Sequence, residues 1–423
     1  MSARRTVLAA QLALIVLVAL NLRPAVTAVG PLLTQIRDDF HLSGTAAGAL
    51  TTLPLAFFGS YGLLAAFLRR TPRAETLLVT GMALLIAGLL LRLLDAPFML
   101  FAGSLVAGIA ISVGNIAMPT IIKRDHPGSI TKVTAVYSVA VTVGASVSSG
   151  IAVPVQDALG SSWRLPLALL VIPAALAAAA WLPRALRGRH TAGAAGAAGT
   201  TGAAGARPAT ATGRASRRVA AQVWRSGLAW QVTVFMGVQS LLAYVVIGWV
   251  PTLCQDRGLS ESASGYALAM ISLLQAVGSL AVPLLERWTR DQRPLVALTV
   301  VLCLIGFAGV AWAPIGSVWL WTVVLGIGQG IGFAAALSFI GLRAHDAQVA
   351  AQLSGMAQGT GYLIAAVGPL AIGAIHDATG GWTLPMIVVL AITAALAVPG
   401  MSAGRNRTVG APGPAPEPEL AAT

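Results

Sequence analysis

Charge is the first thing this chain lacks. Only 10% of its residues are Asp, Glu, Lys or Arg, against about a quarter in soluble domains. Lysine is nearly absent, with Lys123 and Lys132 standing among 27 basic residues. Cysteine is as scarce: Cys254 and Cys303 fall in different apolar runs, match no metal spacing and supply no disulfide framework. The 14 acidic residues and 5 histidines fall outside the apolar runs. That removes the paired carboxylates, histidine clusters and activated nucleophiles that an enzyme would need at membrane depth, so no catalysis, cofactor or metal is expected. A net charge of +13 would fit nucleic acid if it were clustered. Here the basic residues occupy short segments between apolar runs, which argues against that partner.

What is present is apolar sequence. The chain is 57% hydrophobic with a mean hydropathy of +0.81. A bilayer core needs about 20 apolar residues per helix, and on that measure twelve spans fit, roughly at 6–36, 44–68, 75–94, 97–122, 131–155 and 163–182, then 227–253, 262–285, 294–313, 317–342, 350–375 and 382–400. The fold class is therefore an all-α integral membrane protein with the lipid bilayer as solvent. The N-terminus looks like a signal peptide, but its apolar run continues past any cleavage point and is expected to be a retained first helix. Between the sixth and seventh spans, Ala, Gly, Thr and Arg dominate a low-complexity stretch that reads as a flexible linker. The proline-bearing C-terminus reads as a disordered tail. The expected organisation is 1–183 as a first six-helix half, 184–225 as linker, 226–400 as a second half and 401–423 as tail.

With the N-terminus in the cytoplasm, most of the basic residues lie on that side. Arg37, Arg92, Arg164 and Arg257 fall outside, and Arg23 alone stays within the membrane. The asymmetry follows the positive-inside rule and places both termini in the cytoplasm. The two halves also echo each other. Pro31, Asp39, Leu42-Ser43 and Gly48 recur as Pro251, Asp256, Leu259-Ser260 and Gly265; Gly108 and Gly114 recur as Gly326 and Gly332; Asp157 and Trp163-Arg-Leu-Pro166 recur as Asp377 and Trp382-Thr-Leu-Pro385. The offsets are all about 220 residues, so a six-helix unit is duplicated in one orientation. That arrangement belongs to transporters whose site lies near the midplane between the halves.

Asn21-Leu-Arg-Pro24 interrupts the first span. An arginine at a bilayer centre costs about 2.5–3.5 kcal/mol on insertion scales and normally faces a bundle interior or a watery cavity. Pro24 removes a backbone donor and bends the helix there. A structural salt bridge is the competing role for Arg23, but no carboxylate lies at its depth. An unpaired guanidinium accepts an anion through parallel hydrogen bonds. Other polar groups at depth are Asn21 and Thr27 in the first span, Asn115 in the fourth, Gln239 and Tyr244 in the seventh, Gln329 in the tenth, and Gln358 and Tyr362 in the eleventh. Gln358 and Tyr362, four apart, share a helix face. Buried amides also serve as plain helix-to-helix bonds. Trp249 reads as an interface-belt residue and the glycines 326, 328, 330 and 332 as close-packing positions.

The runs Asn21 to Pro31, Gly114 to Lys123, Trp230 to Ser240, Tyr244 to Pro251 and Leu353 to Tyr362, continuing to Gly368-Pro369, resemble the cyanate and nitroimidazole transporter family of the major facilitator superfamily. The resemblance covers nearly every span. It implies a bacterial inner-membrane carrier, taken as a monomer, for a small molecule of anionic or azole type. It also implies that spans one, four, seven and ten line a central cavity. Arg23, Asn21, Asn115, Gln239, Tyr244, Gln329, Gln358 and Tyr362 are the expected substrate-binding residues. A multidrug or metabolite exporter is the alternative, although the chain lacks the membrane carboxylate expected of one. A membrane sensor that does not transport is a further alternative. One departure stands out: Gly62 to Arg70 lacks the aspartate that usually precedes the basic pair of this loop, with Glu75 further on.

Overall fold

The computed structural model describes residues 2–65, 73–126, 130–160, 162–197 and 218–409. Among the described residues almost everything is helix. The first span comprises Ser2–Ala19, Pro24–Thr27 and Val29–Phe40, followed by Gly44–Ala65, Ala74–Leu91, Pro97–Asp125 and Ile130–Ala158. The sixth span comprises Arg164–Leu169 and Val171–Ala197. The second half repeats the count with Gly227–Asp256, Glu261–Leu285, Arg293–Trp312, Val318–Leu342 and Ala347–Thr379, then Thr383–Ala395 with Ala397–Ala403. Eleven of these are long and apolar enough to cross a bilayer, and the second span carries a shorter apolar helix, Gly44–Phe57. This is the twelve-span bundle in two halves, with both ends of the described chain on the same side.

Backbone groups in hydrocarbon must bond internally, which leaves helix as the available conformation for such runs. Proline is tolerated inside them at Pro54, Pro154, Pro251, Pro283 and Pro369 because neighbouring helices supply replacement bonds. Beside one of these prolines, the Trp249 indole donates to the Pro369 carbonyl at 2.8 Å. That contact corrects the belt reading of Trp249, whose side chain is 0% exposed and packs against Trp382 and His376. The glycines of the tenth span do allow close packing. A Cβ on Gly330 would stand 2.1 Å from the Gln275 carbonyl, and one on Gly326 2.7 Å from that of Ile271.

The duplication reappears as contacts. Trp163 donates to Asp39 at 2.7 Å and its counterpart Trp382 donates to Asp256 at 2.7 Å, so the same bond ties the first span to the sixth and the seventh to the twelfth. The first half adds Arg164, bridging Asp39 at 3.1 Å and Asp95 at 2.8 Å. At the other end, Arg124 pairs with Asp125 at 2.6 Å and Glu75 at 2.7 Å; these hydrogen bonds, Asp125's first, raise the Arg124 pKa above its ordinary value. Glu75 therefore braces the third span against the fourth.

Three expectations are corrected. The linker boundaries are too generous: the sixth span runs on as helix to Ala197, and 218–225 are helical with Val223 fully buried. The tail begins later than residue 401, because Val409 is 2% exposed and its amide donates to the Arg343 carbonyl at 2.7 Å. Residues 198–217 and 410–423, the remainder of the expected linker and tail, lie outside the described residues, as do the side chains from Gly62 to Arg70. Third, Arg92 is no extracellular loop residue. It caps the third span, is 0% exposed and donates to the Ala25 carbonyl. Gly103 makes the room: a Cβ there would lie 2.8 Å from the Arg92 Cγ.

Candidate substrate-binding site

The first span breaks where the sequence predicts it. Residues 20–23 form a turn, and Pro24 opens a new helical turn with Arg23 as its cap residue. The break is clamped from several sides. Gly144 lets the fifth span approach so closely that a Cβ there would stand 2.5 Å from the Leu20 carbonyl. Arg92 holds the Ala25 carbonyl, and Thr27 bonds Ser148 at 2.8 Å. The first half alone thus fixes the path of the chain around Arg23.

Arg23 lines a cavity of about 450 Å³ between the halves. Asn115, Tyr244, Gln329, Gln358 and Tyr362 line it as well. Tyr137, which was not among the expected site residues, is a full member: it lines the cavity and its hydroxyl donates to Asn115 Oδ1 at 3.0 Å. The Arg23 guanidinium lies close enough to act electrostatically on the phenols of Tyr137 and Tyr362. Among the described residues no acceptor takes a hydrogen bond from that guanidinium, and no Asp, Glu or His lines the cavity. Its one formal charge is therefore the arginine. Opposite it, in the second half, Gln329 is 2% exposed and its Nε2 has no partner.

Two expected site residues are elsewhere. Asn21 is buried and donates to the Leu17 carbonyl at 2.7 Å and the Pro173 carbonyl at 3.2 Å. It ties the first span to the sixth, because residues two apart on a helical path face opposite sides. Gln239 is also buried without reaching the cavity; it stands behind Gln329, with its Nε2 3.4 Å from the Gln329 carbonyl. The sequence reading missed the contributions of the fifth and eighth spans, Thr134, Ser138 and Thr142 on one side and Ser272 and Gln275 on the other. The signal was there in part: Thr134, Ser138 and Thr142 recur every four residues, which puts them on one helix face.

Thr134, Ser279 and Leu337 line the cavity toward the end of the bundle that carries the chain termini, where no hydrogen bond joins the halves among the described residues. At the far end the halves are bonded together. Thr34 donates to Gln255 at 2.6 Å, and Gln35 bonds Glu261. Asp377 at the end of the eleventh span accepts from the Gly44 and Thr45 amides, each at 2.8 Å, at the start of the second. The pseudo-symmetric Asp157 accepts from Ser262 at 3.1 Å. Gly30 and Gly48 permit backbone contact there, since Cβ atoms on them would lie 2.3 Å from the Ile247 carbonyl and 2.5 Å from that of Pro369. His376 and Asp377, which the sequence places in a loop, are in the last turns of the eleventh helix.

Comparison with known proteins agrees with this geometry. A profile of the Major Facilitator Superfamily matches residues 15–366. The 2-nitroimidazole transporter of Escherichia coli (strain K12) is 37% identical over 396 residues, covering 93% of this chain and 95% of that one. The cyanate transport protein CynX of the same organism is 28% identical over 374 residues, covering 88% and 91%. Among solved structures, a bacterial homolog of the human lysosomal transporter Spinster, inward-facing and unoccupied, superimposes with a TM-score of 0.71 at 17% identity, over 94% of this chain and 96% of that one.

Proposed function

Since the chain belongs to the Major Facilitator Superfamily and is a multi-pass membrane transporter, we propose that its cargo is a small monoanion or an electron-rich polar heterocycle of the cyanate and nitroimidazole kind. Arg23 is its anchor. The observation that carries this reading is the isolation of that guanidinium: among the described residues no carboxylate lines the cavity it faces and none accepts a hydrogen bond from it. A partly desolvated cation without a counterion gains most from an incoming anion, and a planar carboxylate, nitro or azolate edge matches its two parallel donors. Gln329 Nε2 supplies a second unpaired donor from the opposite half. A cargo that accepts hydrogen bonds at both ends links the halves, which is what alternating access by rocking requires.

The distribution of basic residues supports cytoplasmic termini in a bacterial inner membrane; on that reading the bonded end of the bundle faces outward and the cavity is offered to the inside. Among the described residues no carboxylate lines the cavity to carry a coupling proton, which supports a cycle without a protein-bound proton. It runs as facilitated diffusion, as anion exchange, or with the proton on the cargo.

The test is a thermal-shift panel on purified protein with cyanate, 2-nitroimidazole, benzoate and neutral analogues, run beside Arg23→Ala and Arg23→Lys. A ligand that stabilises the wild type only, with uptake into proteoliposomes lost in both variants, is the expected result. Transport by Arg23→Ala at the wild-type rate would falsify the assignment.

A further inference from the structure

A second polar cleft lies apart from the transport cavity, at the end of the bundle that carries the termini. Residues 218–225 form a short helix that leads directly into the seventh span. Arg218, Gln222 and Arg225 are spaced four and three apart and share one face of it. Val219 and Val223 turn the other way, with Val223 in the core and Val219 packed against it. Ser226 and the C-terminal segment at Thr408 and Val409 close the cleft. That segment is held in place by the bond from Val409 to the Arg343 carbonyl. Among the described residues no carboxylate pairs with Arg218 or Arg225, and none lines the cleft.

Its depth is marked by two tryptophans. Trp224 and Trp230 are 41% and 39% exposed, their rings are 5.8 Å apart, and the Trp230 indole donates to the Trp224 carbonyl at 2.9 Å. Exposed tryptophans one turn either side of a span's end belong at the headgroup level of a bilayer. Two guanidinium groups with neutral donors beside them, held at that level, match a phosphodiester oxygen pair.

We propose that this cleft binds the phosphodiester headgroup of an anionic phospholipid. Arg218 and Arg225 pair with the phosphate oxygens, and Gln222 and Ser226 add neutral bonds. The aromatic pair lies beside the glycerol and upper acyl region, which selects a lipid over a free phosphate.

The full-length protein in detergent is titrated with dioctanoyl phosphatidylglycerol, with dioctanoyl phosphatidylcholine and with glycerol 3-phosphate, following thermal unfolding. Phosphatidylglycerol should stabilise it where the other two do not. Arg218→Gln with Arg225→Gln should weaken the apparent affinity at least tenfold, each arginine accounting for about fivefold. Arg287→Gln with Arg290→Gln, exposed charges elsewhere on the same face, should leave it unchanged. Equal stabilisation by glycerol 3-phosphate, an unaffected Arg218/Arg225 variant, or an equal loss in the Arg287/Arg290 variant would each overturn the proposal. If the double variant does not fold, the single variants decide: Arg225→Gln should lose about fivefold while Arg225→Lys keeps most of the affinity.

Discussion

Replacing Asp377 by Asn should loosen the closed end of the bundle, and the structure gives the size of the effect. The carboxylate accepts two backbone amides, from Gly44 and Thr45 at 2.8 Å each, and the Thr45 hydroxyl at 3.1 Å. All three donors belong to the opposite half, at the N-terminus of the second span, where a negative charge also meets the helix dipole. Hydrogen bonds to a charged group contribute about 1.5–3 kcal/mol each when buried. Here the site is largely exposed and Asn retains one acceptor oxygen, so about 1–2 kcal/mol is lost, or a five- to thirtyfold change in the ratio of closed to open forms. Asp157→Asn is the internal control: it breaks only the 3.1 Å bond from Ser262 and should shift the ratio by no more than about twofold. Spin labels at Leu159→Cys and Thr383→Cys, exposed positions at that end of the two halves, report the separation by pulsed electron resonance. Cys254 and Cys303 are buried and stay out of the labelling. An unchanged distance distribution in Asp377→Asn, or an equal shift in Asp157→Asn, would refute the reasoning.

Other substitutions separate structure from binding. Asn21→Ala should lower thermal stability by about 1–3 kcal/mol through the orphaned Pro173 carbonyl while leaving substrate affinity within twofold in equilibrium binding; Gln329→Ala should do the reverse, weakening affinity roughly tenfold at near-constant stability. Gly30→Ala sets a methyl group 2.3 Å from the Ile247 carbonyl, a clash with backbone that cannot yield. It should shift the label distances in the same direction as Asp377→Asn, and wild-type distances would rule the contact out as a closure point. In proteoliposomes, substrate loaded inside should accelerate entry if the cycle is an exchange. A pH gradient at clamped voltage should not drive accumulation of a permanently charged anion, and robust accumulation would point instead to a proton-binding group such as His376 or Asp377.

The spans, their duplication and the break at Arg23 were legible because each depends on one-dimensional information: apolar run length, a repeat about 220 residues on, and a charge next to a proline. Azimuth was not. Asn21 and Arg23 are two residues apart and equally polar, and only the packing of the sixth span decides which one faces the cavity. Gln239 and Gln329 are the same residue type at similar depth, and a 90-residue contact puts one in front of the other. Arg92 escaped notice because a charge at a helix end reads as loop unless Gly103 on the neighbouring helix is known to make room. The hydroxyls of the fifth span were missed: Ser and Thr are ordinary glue between membrane helices, and nothing in the spacing alone says whether the facing partner is a helix or a void.

If the cargo is the anion proposed above, the single charge among the described cavity residues has an electrical consequence. Moving one elementary charge through a membrane potential is worth about 2.3 kcal/mol per 100 mV. With a monoanion bound, Arg23 and its cargo cancel, and the loaded carrier reorients without sensing the field. Empty, the cavity presents a net positive charge whose exposure changes sides with each rock of the halves. A potential negative inside then biases the empty carrier toward its inward-open form. Voltage therefore acts on the return step alone: net flux of anion is voltage-dependent, whereas one-for-one exchange, which never returns empty, is not.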